Sequence, residues 1–585
     1  MLSLGIQYGS HDTSASLVRD GEIIAVMEQE RFNHKKHTYD FPSDAIRYCL
    51  EEGKIGFEDL DYIAYVGNAE VTNKHKQAFI KMGLNEAFIP KMSDRDDIEK
   101  TLRQFLLKIS PASAQVPLYS VDHHKAHAAS TFFVSPFKEA AIFTVDGMGN
   151  WVTTTMGMGR NGKIESLLEI PHPHSLGLVY GAVTQYLGFR ADSDESKVMG
   201  LASYGKPRFL NDFREIVQYR DGSIWMDLNY FTVHKMPLMK EPGVLNLWYS
   251  EAFIERFGPP RQPESELTPL YMDIAQSVQA ILEERCFELL NDLYAKTKCD
   301  NLCLAGGVAL NSTMNGKIID HTPFKNVFIV PAANDGGLSL GAALQCNADN
   351  SKSFEQVPII HAYYGSSHSD EEIEKELENL PDAIEITRPA DLIEQTAQML
   401  HQFDIVGWYQ GRMEFGPRAL GNRSILANPT RAETKDIVNK KVKFRENFRP
   451  FAPMIPKEFV HDYFDAVQEM PFMLKIVQVS KGMNTVIPAV THVDNTARVQ
   501  TVTIDQNEKI YRLLHAMKAL NGVPVLLNTS FNIRGDTIVR SPYDAINCFL
   551  KTGMNSLVIG PYMLRKHNSN IYSWKTEKAF AGSSV

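Results

Sequence analysis

The sequence is poor in the features that mark secreted, disulfide-stabilised and membrane-spanning proteins. Six cysteines in 585 residues are too few for a disulfide framework, and Cys299 and Cys303 have no second pair that would complete a zinc site. No apolar run approaches the roughly 20 residues that a membrane helix needs, and the first residues lack the layout of a signal peptide. These absences predict reduced cysteines in a cytoplasmic protein without a membrane partner.

Basic residues are also in short supply. Lys and Arg number 60 against 70 Asp and Glu, which gives a formal net charge of −10 and a pI of about 6.0. Because proteins hold nucleic acid through a basic surplus, we expect no nucleic-acid partner. The 44% of apolar and 22% of charged residues are ordinary for a globular protein, and the length predicts more than one domain.

One arrangement of strands occurs twice in the first part of the chain. Each copy has a strand, a polar loop, a second strand, a glycine-containing turn and a third strand, and the copies lie roughly 140 residues apart. The predicted strands are Leu2–Ile6, Thr13–Val18 and Ile23–Met27, then Ala140–Val145, Val152–Met158 and Lys163–Ile170. Two such lobes, with nucleotide phosphates between their hairpin loops, describe the actin-like ATPases. The alternative is two meanders that are alike by chance.

Histidines and aspartates in this part of the chain have the spacing of metal ligands. His123 and His127 are four apart in the segment HHKAH, and in a helix their imidazoles share one face, about 5–6 Å apart at Cβ. Asp146 ends a predicted strand before Gly147, and Asp335 also precedes glycines. Carboxylates in such positions commonly face a metal or a phosphate. The pattern predicts a metal site, against the alternative of two unrelated histidines.

Glycines after the predicted strand Asn301–Ala305 indicate a phosphate or ribose contact. Gly306 and Gly307 begin the segment GGVALN, which ends at Asn311 and opens a predicted helix. Glycines admit a ligand close to the backbone, and a helix N-terminus favours negative charge. Lys36, which follows the first hairpin, is a further candidate contact for a phosphate or a carboxylate.

The second part of the chain carries loops rich in arginine, amide and hydroxyl side chains. One loop has Arg412, Arg418 and Arg423 among glycines, and Lys441–Pro453 forms another. Two further loops contribute His492, Asp494, Arg498 and Gln500, and then Asn528, Ser530, Asn532 and Arg534. Arginine forks suit phosphates and carboxylates. The loops predict a deep pocket for an anion, against the alternative that each arginine is a solvated surface residue.

A polar segment, Asn347–Glu355, separates these two parts of the chain. We therefore predict an N-terminal domain over residues 1–350 and a C-terminal domain over residues 351–585. The irregular, aromatic-rich stretch Arg208–Glu266 is predicted to be an insertion that shapes a substrate pocket.

In this order, the motifs resemble those of the NodU/CmcH carbamoyltransferase family over nearly the whole chain. They are HHKAH with Asp146-Gly147, SKVMGLASYG, GGVALN, EFGPRALGNRSI, FRPFAP, HVDNTARVQTV and LNTSFNIRGD. The resemblance implies an α/β protein whose N-terminal domain is an actin-like ATPase fold of duplicated ribonuclease-H-like lobes. It also implies an α/β C-terminal domain similar to the threonylcarbamoyl-adenylate synthases.

The resemblance further implies an ATP-dependent O-carbamoyltransferase. In the C-terminal domain, carbamoyl phosphate is cleaved to carbamate, which attacks the ATP α-phosphate and gives carbamoyladenylate and pyrophosphate. The adenylate passes through an internal channel to the N-terminal domain, where a hydroxyl of a sugar-containing antibiotic or glycan attacks the carbamoyl carbon. Two rival functions stay open: a threonylcarbamoyl transferase acting on tRNA, and an actin-like ATPase switch that transfers no group.

Motif positions assign residues to this chemistry, as the resemblance implies it. A metal, iron in the best-known case, would lie on His123, His127, Asp146 and Asp335, and a nucleotide on Gly147, Gly306, Gly307 and Asn311. ATP with Mg and carbamoyl phosphate would lie on Arg418, Lys443, Arg449, Arg498, Asn528, Ser530 and Asn532.

The catalytic residues of the transfer step are also assigned by resemblance. His11 and Lys36 match N-terminal motifs of the family, although His34 stands where the family usually has arginine. Asp227 is a candidate general base, with His11 as its rival. Residues 65–97 and the insertion are expected to form the pocket for the acceptor. A homodimer is also compatible with the assignment.

Overall fold

The computed structural model describes residues 1–67, 98–235, 247–378 and 380–566. Most of the expected acceptor region, residues 65–97, and a part of the insertion, residues 236–246, lie outside these residues. None of the helices in the described ranges combines the length and the apolar character that crossing a bilayer requires.

The first lobe is a mixed sheet with helices packed on it. Its strands are β1 (Leu2–Gln7), β2 (Ser14–Arg19), β3 (Glu22–Glu28), β4 (Tyr62–Val66) and β5 (Leu118–Val121), and its helices are α1 (Glu30–Asn33), α2 (Ser43–Gly53) and α3 (Ile98–Ile109). Asp20 and Gly21 connect β2 to β3 with φ angles of 49° and 97°. Two consecutive positive φ angles match the right-handed twist of the paired strands, which explains the Asp-Gly pair.

The second lobe contains the other copy of the predicted arrangement and the insertion. Its helices are α4 (His123–Phe132), α5 (Leu176–Tyr186), α6 (Glu195–Ala202), α7 (Leu210–Ile216), α8 (Glu251–Phe257), α9 (Pro269–Thr297), α10 (Ser312–His321) and α11 (Leu338–Asn350). Its strands are β6 (Glu139–Gly149), β7 (Val152–Arg160), β8 (Lys163–Pro171), β9 (Val217–Arg220), β10 (Ser223–Met226), β11 (Asn301–Ala305) and β12 (Asn326–Ile329).

The two lobes share one sheet topology. The strand order is β3-β2-β1-β4-β5 in the first and β8-β7-β6-β11-β12 in the second. In each sheet the first strand of the meander, β1 or β6, is antiparallel to its successor and parallel to the strand on its other side. The predicted duplication of the strand arrangement is confirmed.

Helix α11 joins the lobes because it packs against both of them. The Ser14 hydroxyl of β2 donates to the Ser339 hydroxyl at 2.8 Å, and the hydroxyls of Ser16 and Ser339 share a hydrogen bond of 2.7 Å. A Cβ added to Gly341 would lie 1.8 Å from the carbonyl oxygen of Ala126 in α4, so glycine permits this close approach. The turn that precedes α11 is therefore held at the junction of the lobes.

The C-terminal domain is built on a larger mixed sheet. Its strands are β13 (Ile384–Thr387), β14 (Val406–Tyr409), β15 (Arg423–Ala427), β16 (Ala452–Pro456), β17 (Phe464–Asp465), β18 (Ile476–Val479), β19 (Thr496–Arg498), β20 (Gln500–Val502), β21 (Leu526–Ser530), β22 (Ser556–Ile559) and β23 (Tyr562–Lys566). Its helices are α12 (Asp370–Leu377), α13 (Leu392–His401), α14 (Glu433–Val438), α15 (Val460–Tyr463), α16 (Glu508–Asn521) and α17 (Pro542–Leu550). The main sheet runs in the order β13-β23-β22-β14-β15-β21-β16-β20, and β17-β18-β19 form a second sheet.

The C-terminal domain packs against both lobes. Arg412 donates to the carbonyl oxygen of Ile24 in the first lobe at 2.9 Å, and Lys475 donates to that of Val327 in the second at 2.8 Å. Burial in this contact lowers the pKa of Lys475 to about 7. The loops of the C-terminal sheet therefore face the loops of the lobes. The division of the domains at residue 350 stays a prediction.

Candidate functional site

The four predicted metal ligands meet at the junction of the lobes. The N-terminal half of α4 supplies His123 and His127, β6 supplies Asp146, and the turn before α11 supplies Asp335. His123 Nε2 lies 3.1 Å from Asp146 Oδ2 and 3.7 Å from Asp335 Oδ1, and His127 Nε2 lies 3.4 and 3.5 Å from the same two oxygens. Two imidazole nitrogens and two carboxylate oxygens therefore converge on one point.

Hydrogen bonds from neighbouring residues fix the direction of each carboxylate. Asp146 does not end its strand as predicted, because β6 continues to Gly149 with an irregularity in its pairing after Val145. The Gly307 N–H donates to Asp146 Oδ1 at 2.9 Å, and the Ser10 hydroxyl donates to Asp335 Oδ2 at 3.1 Å. Each carboxylate thus keeps its other oxygen for the centre of the cluster.

Charge in the cluster follows from this packing. Burial opposes a charge on His127, but its hydrogen bonds to Asp146 and Asp335 raise its pKa to about 9. Burial likewise opposes the charge of Asp146, but contact with both histidines holds its pKa well below the usual range. Imidazole and carboxylate donors of this kind are the ligands that zinc, iron and manganese take in proteins. The four residues therefore fit a divalent metal.

The middle histidine of HHKAH has a different environment. His124 is buried, and its ring contacts the Thr144 hydroxyl at 2.7 Å and the carbonyl oxygen of Val152 at 2.9 Å. Burial, with the neighbouring histidines, lowers the pKa of His124 to about 3. This neutral ring ties α4 to strands β6 and β7 and takes no part in the cluster.

A second group of titratable residues lies beside the first in the loop after β1. Asp12 accepts hydrogen bonds from His11 Nδ1 at 3.1 Å, from His37 Nδ1 at 2.8 Å and from Asn334 Nδ2 at 2.9 Å. Burial opposes the charge of Asp12, but both histidines hold its pKa below the usual range. The sequence interpretation did not single out Asp12. The available signal was its position directly after His11.

Cations gather in the C-terminal domain as predicted. Burial, with the charge of Arg449, lowers the pKa of Arg418 to about 10. Burial and neighbouring arginines also hold the pKa of Arg498 well below its usual range. Arg445, which the sequence interpretation missed, has its pKa lowered to about 9 by burial and by Arg449. Such mutual depression of pKa values among like charges indicates a site that is completed by an anion.

The predicted amide and hydroxyl residues position these cations. Lys443 Nζ donates to the Ser530 carbonyl oxygen at 2.8 Å and to Asn532 Oδ1 at 2.5 Å. Burial, with neighbouring cations, lowers the pKa of Lys443 well below its usual range. Asn528 Nδ2 donates to the carbonyl oxygen of Ala419 at 3.0 Å. Lys443 is therefore tied to the end of β21 and the loop that follows it, and Asn528 of β21 is tied to the loop before β15.

One cavity of about 1200 Å³ connects both groups of residues. His123, Asp146 and Asp335 line it at the lobes, and Arg418 and Arg498 line it in the C-terminal domain. Further lining residues named by the sequence prediction are His11, Lys36, Gly147, Gly307, Asn311, Lys443, Arg449, Asn528, Ser530 and Asn532. Residues of the metal cluster and of the cationic cluster therefore line one continuous cavity.

Several predicted residues hold the walls of the cavity. Gly306 has a φ of 94°, and a Cβ there would lie 2.2 Å from the carbonyl oxygen of Val145, so it allows the loop to approach β6. Asn311 Oδ1 accepts from the Met314 N–H at 3.0 Å and caps α10.

Arg412, Arg423 and Asp227 are among the predicted residues that do not line the cavity. Arg423 is fully buried, stacks over Tyr409 and donates to the Gln410 carbonyl oxygen at 2.6 Å. Arg412 binds backbone oxygens between the domains, so the prediction that these two arginines belong to the anion pocket is wrong. The Asp227 carboxylate accepts from the Asn229 N–H at 2.9 Å, within a turn after β10, and the cavity lining does not include it.

Comparison with known proteins identifies the family. The carbamoyltransferase N-terminus family model matches residues 3–344, and the carbamoyltransferase C-terminus model matches residues 397–566. An uncharacterised protein of Synechocystis is 38% identical over 96% of each chain, and the nodulation protein NolNO of Sinorhizobium fredii is 36% identical over 96% of this chain and 80% of its own. The 3'-hydroxymethylcephem-O-carbamoyltransferase of Amycolatopsis lactamdurans is 34% identical over 48% of this chain and 52% of its own. The chain belongs to the NodU/CmcH family and is a carbamoyltransferase.

Proposed function

We propose that this carbamoyltransferase uses ATP to form carbamoyladenylate from carbamoyl phosphate and then transfers the carbamoyl group to a sugar hydroxyl. The observation that carries the proposal is the single cavity with a cationic cluster at one end and a His-Asp cluster at the other. Phosphate-rich substrates suit the first end and an activated carbonyl suits the second. An intermediate formed at one end reaches the other without leaving the protein.

The C-terminal domain, which we assign to the threonylcarbamoyl-adenylate-synthase type, would carry out activation. Water adds to carbamoyl phosphate and releases phosphate and carbamate. A carbamate oxygen then attacks the ATP α-phosphorus, and the bond to pyrophosphate breaks. Arg418, Lys443, Arg449 and Arg498 would neutralise the charge on the transferring phosphoryl group. Binding of these phosphates would account for cations that are buried together with few acidic partners.

The N-terminal domain would carry out transfer. His123, His127, Asp146 and Asp335 would hold a divalent metal, which we propose to be iron and which, when bound, polarises the carbamoyl carbonyl. Lys36 is exposed to the cavity near Arg449, where it can contact the adenylate phosphate. The acceptor oxygen forms a bond to the carbamoyl carbon, and the bond to AMP breaks. His11, in the loop after β1, would take the hydroxyl proton in this proposal, because it lines the cavity and Asp227 does not.

The acceptor is expected to be the hydroxyl of a sugar-containing natural product or glycan. The relatives with printed roles are nodulation proteins and carbamoyltransferases of a hydroxymethylcephem. All substrates in this scheme are small molecules. The formal net charge of −10 disfavours the rival acceptor, tRNA, because polyanions are bound through basic surfaces.

Pyrophosphate release in the absence of an acceptor tests the activation step. Purified protein with ATP, magnesium and carbamoyl phosphate is expected to release pyrophosphate only when carbamoyl phosphate is present. Arg498→Ala should lower the rate at least about 100-fold, since one lost charge contact to a transition state costs roughly 3 kcal/mol. Arg512→Ala serves as a control, because Arg512 is exposed on α16, and should release pyrophosphate at the wild-type rate.

Other products would contradict the scheme. Release of ADP and phosphate regardless of carbamoyl phosphate would favour the ATPase switch. Activity that needs bicarbonate and threonine in place of carbamoyl phosphate would favour the tRNA-directed rival.

A further inference from the structure

Two buried hydrogen-bond acceptors in the cationic part of the cavity have no partner within the described residues. They are His492 Nε2 and Asn528 Oδ1, and both side chains line the cavity. His492 is 8% exposed and Asn528 is 1% exposed. A buried polar atom without a partner costs roughly 1–3 kcal/mol, so acceptors of this kind in a binding cavity indicate that a ligand supplies the donors.

Neighbouring side chains set the tautomer of His492. The Thr496 hydroxyl donates its only hydrogen to Asp494 Oδ1 at 2.6 Å. It can therefore only accept from His492 Nδ1, which lies 3.2 Å away. Nδ1 carries the hydrogen, and Nε2 presents its lone pair to the cavity. Burial lowers the pKa of His492 to about 4. Asp494 and a hydrogen bond of the ring to the Phe451 backbone oppose this effect, and Arg498 and Lys435 add to it, so the ring is neutral at pH 7.

The orientation of Asn528 follows in the same way. Its Nδ2 donates to the carbonyl oxygen of Ala419 at 3.0 Å and to Gln500 Oε1 at 2.9 Å. Gln500 is oriented by its own donation to the Leu420 carbonyl oxygen at 2.7 Å. The amide of Asn528 therefore turns its oxygen to the cavity.

The two acceptors, His492 Nε2 and Asn528 Oδ1, lie near cationic hydrogen-bond donors. Arg498 lies near His492, and Asn528 is bonded to the residue that follows Arg418. Arginine and lysine have no acceptor to offer, and a phosphate or a carboxylate has no N–H. A ligand that satisfies both sets of groups must carry an anionic end and an N–H donor close to it. A neutral acceptor can bind such a donor without repelling the anion. A carboxylate acceptor would repel the anion.

We propose that His492 Nε2, together with Asn528 Oδ1, accepts hydrogen bonds from the NH2 group of carbamoyl phosphate and thereby selects it over other acyl phosphates. The inference rests on the proposed function, which places carbamoyl phosphate in the C-terminal domain. The adenine amino group of ATP is the other N–H donor in the scheme. It fits less well, because the acceptors lie within the cationic cluster and the adenine ring lies away from its own phosphates.

Acetyl phosphate tests this selection, because it replaces the NH2 group by a methyl group of similar size. Acetyl phosphate is assayed as an inhibitor of carbamoyl-phosphate-dependent pyrophosphate release. The ratio of its inhibition constant to the KM of carbamoyl phosphate measures recognition of the NH2 group. The wild-type ratio should exceed about 100, since sites built around a hydrogen bond reject analogues that lack it.

Variants of His492 test whether its ring recognises the NH2 group of carbamoyl phosphate. In His492→Leu the ratio should fall at least about 10-fold through the KM of carbamoyl phosphate, while the KM of ATP stays unchanged. His492→Gln, which can offer an oxygen acceptor, should recover part of the ratio. The matched control is His461→Leu, because His461 is exposed in α15, and it should keep the wild-type ratio.

The outcomes separate this inference from the proposed function. A wild-type protein that binds the two acyl phosphates equally well, which needs no variant to establish, overturns the inference. So does a His492→Leu protein that keeps the ratio, or one in which only the KM of ATP rises. If the wild type releases no pyrophosphate at all with carbamoyl phosphate, the proposed function fails and the inference fails with it.

Discussion

At the residue scale, a glycine beside the metal cluster decides whether His123 can point inward. A Cβ added to Gly149 would lie 2.0 Å from the His123 ring, whereas one added to Gly147, two residues earlier, would meet its nearest neighbour at 3.8 Å. Gly149→Ala should therefore displace the ring and lower the bound metal at least about 10-fold, as misplaced ligand shells do. Gly147→Ala should retain the metal. Elemental analysis of the two purified variants measures their metal content, and circular dichroism checks that both are folded. Full metal content in Gly149→Ala would contradict the assignment.

The sequence predicted the residues whose chemistry is set by type and spacing. His123 and His127 share a helix face, and Asp146 and Asp335 precede glycines, so the structure brings together groups that the pattern had already related. It could not predict which arginines face the ligand. Arg423 is fully buried against backbone oxygens, and only the fold decides that it supports a loop while Arg418 lines the cavity.

At the element scale, the small hairpin β9–β10 of the insertion depends on a neutral histidine. The Met226 N–H donates to His174 Nδ1 at 3.2 Å, a bond that needs the unprotonated nitrogen. Burial lowers the pKa of His174 from its ordinary 6.5 to about 4. The unfolded chain therefore binds the extra proton below pH 6.5, and the stabilisation present above that pH is lost as the pH falls toward 4.

Hydrogen exchange should report this loss locally. Between pH 6.5 and 5, protection of Val217–Met226, corrected for intrinsic exchange, should fall by up to about 30-fold, or tenfold for each pH unit. His174→Gln, which keeps an acceptor and does not titrate, should flatten this dependence. His401→Gln changes an exposed histidine at the end of α13 and should leave it as in the wild type. An unchanged slope in His174→Gln would show that another group controls the hairpin.

Elements were predictable where their pattern is local. Both meanders follow from alternating strands and glycine turns. The length of β6 was not predictable. It runs on to Gly149 because β7 pairs beyond the irregularity at Asp146, and such pairing depends on a partner strand and not on the residues of β6 alone. The packing of α11 against both lobes is likewise a property of the assembled sheets.

At the scale of the whole molecule, the proposed function needs the C-terminal domain to close one side of the shared cavity. Helix α10 of the second lobe meets β18 where Asn315 Nδ2 donates to the carbonyl oxygen of Leu474 at 2.9 Å. A Cβ added to Gly316 would lie 1.9 Å from the carbonyl oxygen of Ile476. Because that atom belongs to the backbone, no side-chain rotation relieves the clash. Overpacking of this kind costs about 1–3 kcal/mol or more.

Gly316→Ala should therefore weaken the contact between the domains without altering either site. In calorimetry we expect the variant to unfold at a lower temperature, because one hydrophobic core contains both residues of the second lobe and Phe472, Met473 and Leu474 beside this contact. Gly200→Ala is the matched control, since Gly200 also lies in a helix that faces the C-terminal domain, but a Cβ there would meet Pro450 at 3.6 Å. It should unfold as the wild type does. A Gly316→Ala protein with the wild-type profile would mean that the domains shift apart at little cost, and a cavity closed by so loose a contact could not retain an adenylate.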